Sequence, residues 1–278
     1  MLIYDVAAKD RPLGTQLATS NDLVQSLAWS PDGQRLASGG FRGIRLWDVG
    51  SGQVVTEIKG LSGRVTASTF SPDGSTLIAA DGDVASTGMI RVWKMPDGEP
   101  IASWAAHDDS ILSIDVSRDG KLLATAGADR LAKVWDLSTR KEIAKLEGHA
   151  GPVVAVAISA DGAQLASGGM DKEIKVWDVK TREQAVALTT SPAAVTALAW
   201  VDGKTLLSAS DDGVPRFSSR ENKTRAVKTF PAAADVLYAA AITTDGKTIY
   251  GACHDGQVYV WTAASGKLEG TLTLAGVK

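Results

Sequence analysis

The stretch His149-Ala-Gly-Pro-Val-Val-Ala-Val-Ala-Ile-Ser-Ala-Asp161-Gly162-Ala-Gln164-Leu-Ala-Ser167-Gly-Gly-Met-Asp171-Lys-Glu-Ile174-Lys-Val-Trp177-Asp178 decides the fold. Val154, Val156 and Ile158 alternate with small residues, the period-two pattern of a half-buried strand. Asp161-Gly162 follows as a hairpin signal, because glycine takes the positive φ that such a turn requires. Leu165 to Gly168 and Ile174 to Trp177 read as the next two strands, and Glu183 to Leu188 as the fourth. One antiparallel four-stranded unit therefore fits into about forty residues.

The unit recurs along the chain. Trp47-Asp48 and Trp135-Asp136 repeat the Trp177-Asp178 ending, with related endings at Tyr4-Asp5, Trp93-Lys94, Phe217-Ser218 and Trp261-Thr262. These aromatic positions lie 43, 46, 42, 42, 40 and 44 residues apart, the period of a propeller blade. Asp-Gly turns at Asp32, Asp73, Asp119, Asp161, Asp202 and Asp245 keep phase with them. No apolar segment of helical period interrupts the series, so the chain is expected to be all-β. Blades must stack, since none can bury both faces alone.

With these residues in view, the chain resembles the WD40 (WD-repeat) β-propeller family along essentially its whole length. The unit at 149–188 matches best, and Trp93-Lys94 and Phe217-Ser218 depart from the family's Trp-Asp. Labelling the strands of a blade a to d from the axis outwards, complete a–b–c sets begin near residues 23, 64, 110, 151, 193 and 235, each followed by a d strand. Before them stand only a c strand, Leu2 to Val6, and a d strand, Gly14 to Thr19. The expectation is seven blades with one incomplete, that is, six whole blades plus an N-terminal c–d half blade. A six-bladed ring is the alternative. Residues 1–278 are read as a single propeller domain, with excision from a longer chain as one account of the missing hairpin and association through the incomplete blade as another.

Composition bounds the function. A net charge of −3 and a pI near 5.7 argue against a general nucleic-acid binder. No segment approaches the roughly 20 apolar residues of a membrane helix. The lone cysteine, Cys253, excludes an intramolecular disulfide. Met1 runs straight into a strand-like segment with no room for a secretory leader, so the default expectation is a cytoplasmic protein, with an extracytoplasmic place open if the chain is an excised domain.

His149, Ser167 and Asp171 supply the residue types of a hydrolase triad. The family resemblance implies instead a hydrogen-bonded Asp–His–Ser/Thr–Trp chain inside a blade. Asp171, His149, Ser167 and Trp177 stand at those four positions, and Asp129, His107, Thr125 and Trp135 match likewise. Such a buried chain stabilises only when each member is satisfied. Elsewhere Ser20, Leu61, Ser191 and Ala233 occupy the histidine position; Ser208, Asp212 and Phe217 remain in one blade, Asp255 and Trp261 in another. No catalytic or metal-binding residue is assigned and no cofactor is expected. Cys253-His254 reads as an ordinary loop pair, Asp81-Gly82-Asp83 as a mobile loop rather than a calcium loop, and Arg216, Arg220, Lys223, Arg225 and Lys228 as a solvated basic hairpin. Trp29, Trp104 and Trp200 are expected in the core between blades.

The d–a and b–c loops gather at one end of the blades, which family resemblance makes the usual site for a protein or peptide. That end carries Phe41, Arg42, Asp83, Asp108, Asp109, Arg130, Met170, Asp211 and His254. The expected function is a non-catalytic interaction scaffold binding a protein partner there, as a module of a larger protein. The alternative is a propeller enzyme or metal-dependent hydrolase with its site in the axial channel.

Overall fold

A computed structural model describes residues 2–5, 11–16, 23–83 and 85–273. The described residues form antiparallel sheets. A two-stranded sheet pairs β1 (Leu2–Asp5) with β2 (Arg11–Gln16). Blade 1 follows with β3 (Ser26–Trp29), β4 (Arg35–Gly39), β5 (Phe41–Asp48) and the first half of β6 (Val54–Phe70). The second half of β6 opens blade 2, continued by β7 (Thr76–Gly82), β8 (Gly88–Lys94) and β9 (Glu99–His107). Blade 3 comprises β10 (Ile111–Val116), β11 (Leu122–Gly127), β12 (Ala132–Asp136) and β13 (Lys141–Leu146). Blade 4 holds β14 (Val153–Ile158), β15 (Gln164–Gly169), β16 (Ile174–Asp178) and β17 (Gln184–Leu188). Blade 5 holds β18 (Val195–Trp200), β19 (Thr205–Ser210), β20 (Arg216–Ser219) and β21 (Lys228–Thr229). Blade 6 holds β22 (Leu237–Ile242), β23 (Thr248–Cys253), β24 (Gln257–Thr262) and β25 (Leu268–Thr273).

Each blade has its strands in sequence order, and blades 1 and 2 share β6 in one seven-stranded sheet. The architecture is thus six four-stranded units and an N-terminal half unit, the tally the repeats predict. The half unit's second strand starts at Arg11, earlier than the expected Gly14, with Tyr4 opposite Pro12.

The a–b turns show why the sequence punctuates as it does. Asp161 Oδ1 accepts the Ser159 hydroxyl at 2.5 Å and the Ala163 N–H at 3.0 Å, while Ser159 Oγ accepts the Gln164 N–H at 2.9 Å. Asp32, Asp73, Asp119 and Asp245 repeat the arrangement with Ser30, Ser71, Ser117 and Thr243. These hydroxyls hold the carboxyls below the usual aspartate range. Blade 5 departs: Val201 has no hydroxyl to offer, and Gly203 is absent from the glycines that adopt positive φ.

The chain falls into two compact units, residues 1–129 with 136–141 and residues 130–135 with 142–278. In the first, small b-strand residues Ala37 and Ala79 pack with Ile44, Leu61, Val65 and Trp93 into one core. In the second, Ala166, Ile174, Val176 and Leu188 of blade 4 pack on Val195 and Leu206 of blade 5. Trp200 covers that cluster and donates its indole N–H to the Ala157 carbonyl at 3.0 Å, as an inter-blade residue should. Trp29, at the matching place on β3, is instead 48% exposed, with Leu27 at 53%. The expectation of a core position fails there.

Candidate functional site: a buried polar relay and an exposed loop end

In blade 4, the d–a turn delivers His149, β15 delivers Ser167, the b–c turn delivers Asp171 and β16 delivers Trp177. The indole N–H of Trp177 donates to Ser167 Oγ at 2.8 Å, and Ser167 lies 2.8 Å from His149 Nε2. His149 Nδ1 lies 3.0 and 2.9 Å from the two Asp171 oxygens. A carboxylate only accepts, so Nδ1 carries the proton and Nε2 accepts from the hydroxyl. That is a neutral imidazole. Its side chain is fully buried, and burial pushes its pKa below 6.5 despite Asp171. Burial works against ionising Asp171, but the Ala150 N–H and His149 outweigh it and its pKa is lowered. Asp171 also binds the N–H groups of Ala150 at 2.9 Å and Glu173 at 3.3 Å, tying the two loops together.

Blade 3 builds the same relay with threonine. His107 Nδ1 lies 2.9 Å from both Asp129 oxygens and Nε2 lies 2.6 Å from Thr125 Oγ1. Trp135, the fourth predicted member, belongs to the other compact unit. Blade 1 keeps only the inner end, Trp47 Nε1 donating to Ser38 Oγ at 2.8 Å, and Ser20 lies outside the described residues.

The remaining blades replace the relay in different ways. In blade 2, Leu61 in the histidine position is buried in the apolar core. With no polar ring to seat there, β6 runs on unbroken. Asp81 is not a mobile-loop carboxylate: it is 1% exposed, accepts the Ser62 N–H at 2.9 Å and pairs with Arg91 Nε at 2.7 Å. In blade 6, Trp261 donates to the Pro231 carbonyl at 2.9 Å, and Tyr259 donates its hydroxyl to Asp255 at 2.9 Å.

Blade 5 corrects a register. Leu165 pairs with Trp177, whereas Leu206, its counterpart, pairs with Ser218. Ser218 therefore stands in the tryptophan position, and Phe217 points elsewhere, edge-on to Phe230 at 5.0 Å. Ser208, buried, has no hydrogen-bond partner. Removing a satisfied hydroxyl and an orphaned one should have opposite effects. Ser167→Ala is expected to destabilise by about 2 kcal/mol, and Ser208→Ala to be neutral or stabilising, in urea unfolding of the two variants. Equal losses would refute the assignment.

The register also exposes a recurrence that the sequence reading missed. Two residues before the tryptophan position stand Arg45, Arg91, Lys133, Lys175, Arg216 and Tyr259, each bonded to a carboxylate: Glu57, Asp81, Glu142, Glu173, Asp212 and Asp255. Arg216 is thus a buried ion-pair member and not part of a solvated basic patch. Lys228 likewise turns inward, its Nζ donating to the Ala263 carbonyl at 2.8 Å. Arg220, Lys223 and Arg225 remain on the loop.

At the d–a/b–c end the predicted residues differ in freedom. Phe41, the first residue of β5, is 54% exposed and Met170, which follows β15 in the b–c turn of blade 4, 56%. Arg42 and Arg130 have φ of 58° and 71°, and Arg42 Nε donates to the Leu61 carbonyl. Asp109 is committed to the Ala85 and Ser110 N–H groups, whereas Asp83, Asp108 and Asp211 are exposed. His254 is exposed, its Nδ1 3.0 Å from Asp235, and stands edge-on to Tyr238 at 5.6 Å. Tyr238, 60% exposed, was missed because strand alternation reads it as one more β22 residue. Cys253 is buried, and burial pushes its thiol pKa up. Among the described residues no three His, Cys, Asp or Glu side chains come together as metal ligands.

The repeat pattern described as WD domain, G-beta repeat, matches residues 11–48, 52–94, 98–136, 140–178 and 224–262, more than half of the chain. The chain belongs to the WD40 family. The region passed over contains most of blade 5, whose tryptophan position holds serine. Similar proteins include bovine Transducin beta-like protein 3, 30% identical over 39% of this chain and 13% of that protein. Cilia- and flagella-associated protein 52 of mouse is 25% identical over 46% of this chain and 20% of its own length. Human Apoptotic protease-activating factor 1 is 33% identical over 40% and 9%. The chain thus matches a fifth or less of each of these relatives. WD40 repeats of this kind imply an interaction scaffold. No described helix is long and apolar enough to cross a membrane.

Proposed function

We propose that this chain is a non-catalytic scaffold that holds a protein or peptide partner at the d–a/b–c end of its blades, as a module of a larger protein. One observation carries the reading: Phe41 at the start of β5 and Met170 in the b–c turn of blade 4 leave more than half of their surfaces to solvent. Aromatic and methionine side chains are enriched where proteins anchor one another. Exposed Asp108 in the first unit, and Arg130 and Asp211 in the second, add charged groups at the same strand ends of their own blades. In this reading the Asp–His–Ser/Thr–Trp relays are structural. The Ser167 hydroxyl is fully buried and committed on both sides, so it offers no nucleophile to a substrate.

The test compares the proteins retained from cell extract by the wild type, by Phe41→Asp/Met170→Asp and by Val227→Asp. Val227 is 60% exposed in the c–d connection of blade 5 and serves as the control. Retention should fall by about tenfold or more with the first variant and stay unchanged with the control. Equal retention by all three would discard the assignment.

A further inference from the structure

The opposite, a–b/c–d end of the first unit holds an open groove of about 630 Å³ where the outer strands of blade 2 meet the turns of blade 3. Ile78, Val92 and Ala102 are consecutive cross-strand partners at the floor of the groove, Ile78 and Val92 buried, while Ile101, 44% exposed, is its open apolar residue. Arg118, Lys121 and Arg140 stand around it.

The comparable place is closed on blades 1 and 5, whereas on blade 4 a smaller groove of about 320 Å³ lies against Ala185 and Val186. On blade 1, the turn after β8 settles against the outer strand: Thr56 donates to the Pro96 carbonyl at 2.8 Å. A Cβ on Gly98 would lie 2.8 Å from Thr56 Cγ2. On blade 5, a Cβ on Gly266 would lie 2.8 Å from Lys228 Cε, whose ammonium bonds to that turn. Both glycines are left-handed, with φ of 73° and 77°. Arg140 takes the same left-handed place in the blade 3 turn, at φ 61°, as Arg182 does in the blade 4 turn at 65°, a conformation that disfavours any residue with a Cβ. The turn of blade 3 sets the Arg140 guanidinium at the rim of the groove.

Three cations of the lining, Arg118, Lys121 and Arg140, stand against two carboxylates, Asp73 and Asp119. Asp73 is bound by the hydroxyls of Ser71 and Ser75 and by the Ser75 N–H. Asp119 is bound by Ser117 and by Lys121. Arg118 and Arg140 form no ion pair among the described residues, and the lining keeps one positive charge in excess.

We propose that this groove is a second docking site, which takes an acidic peptide segment of a partner protein. An aliphatic side chain of that segment lies on Ile101 and Ala102, and its carboxylates pair with Arg118 and Arg140. Guanidinium groups suit carboxylates because two N–H donors meet two oxygens. The site is independent of Phe41 and Met170, which stand at the other strand ends.

The probe is a dye-labelled peptide of alternating Glu and Leu, read by fluorescence anisotropy on the full chain. Two further peptides replace Leu by Ser or Glu by Lys. The wild type should bind the Glu/Leu peptide, and neither control should bind comparably. Arg118→Glu/Arg140→Glu should weaken binding about tenfold, as the loss of two partly exposed ion pairs implies. Arg140→Gly should also weaken binding while raising the unfolding midpoint, which separates lost recognition from lost folding. Phe41→Asp/Met170→Asp should bind as the wild type does. The proposal is overturned by absent wild-type binding, by unchanged affinity in the charge-reversed variant or by equal binding of the Ser-containing peptide. Displacement of the peptide by the Lys-containing one, or its loss in Phe41→Asp/Met170→Asp, would overturn it as well.

Discussion

Replacing His149 by alanine is expected to lower the stability of the protein by about 3 kcal/mol, the magnitude found when one partner is removed from a buried, hydrogen-bonded pair. The side chain is fully buried and bonded at both ring nitrogens, to Ser167 at 2.8 Å and to Asp171 at 2.9 Å. Alanine would leave a cavity between them, strip Asp171 of its side-chain donor and leave the Ser167 hydroxyl with only the Trp177 donor. Two loops would lose their common anchor, because Asp171 also holds the Ala150 and Glu173 N–H groups. Urea unfolding followed by tryptophan fluorescence checks this. A midpoint within error of the wild type would show that the relay contributes nothing to stability.

The same residue sets a pH dependence whose sign follows from its neutrality. Burial lowers the pKa of folded His149 below 6.5. In the unfolded chain the ring titrates near its ordinary value, so below pH 6.5 the unfolded state binds a proton that the folded state refuses. The contribution is complete above that pH and is lost progressively as pH falls towards the folded value. Asp171, also lowered, adds a further loss below 3.8. Between pH about 7.5 and about 5.5, the wild-type midpoint should therefore fall more steeply than that of His149→Ala. Parallel slopes would count against a neutral, buried imidazole.

What the sequence made legible was local in cause. Asp161-Gly162 and its repeats mark turns because the hydroxyl two residues back and the N–H two residues on lie within the same short segment. Trp177 and Ser167 could be paired on paper because adjacent strands of a hairpin have a fixed register. Blade 5 shows the limit of that logic. Phe217 is the nearest aromatic to the expected spacing, yet the ladder sets Ser218 opposite Leu206, and a one-residue slip reverses the face of every side chain. Asp81 looked like a loop carboxylate because its partner Arg91 lies on the next strand, and only the pairing of β7 with β8 brings them together. Trp29 looked like core for a comparable reason: alternation tells which face a residue takes, not whether anything covers that face. The groove beside Arg140 had no distinguishing sequence signal, since the matching left-handed place is glycine in two sister turns, Gly98 and Gly266, and arginine again in a third, Arg182.

Gly127→Ala is expected to destabilise the protein by about 3 kcal/mol, although it adds one methyl group to a strand, because overpacking a buried polar relay combines strain with broken hydrogen bonds. A Cβ there would lie 2.4 Å from His107 Nδ1 and 2.5 Å from Asp129 Oδ1, the two atoms whose bond carries the relay of blade 3. Gly169 meets the same obstruction in blade 4, 2.6 Å from Asp171 Oδ1 and 2.8 Å from His149 Nδ1. Blade 2 carries out the reciprocal change naturally. Where Leu61 replaces histidine, the corresponding strand position is Asp81, whose side chain fills the space a ring would need and turns to Arg91 instead. The clash therefore belongs to the histidine and the aspartate it holds in place, and not to the backbone. It follows that the two substitutions must be coupled: in a His107→Leu background, Gly127→Ala should cost less than half of what it costs alone. Gly203→Ala provides the baseline, since a Cβ there meets nothing within 4 Å, and its effect should stay within about 0.5 kcal/mol. A double-mutant cycle by urea unfolding measures the coupling. Simple additivity of His107→Leu and Gly127→Ala would mean that glycine is needed at this position for some reason other than the imidazole it faces.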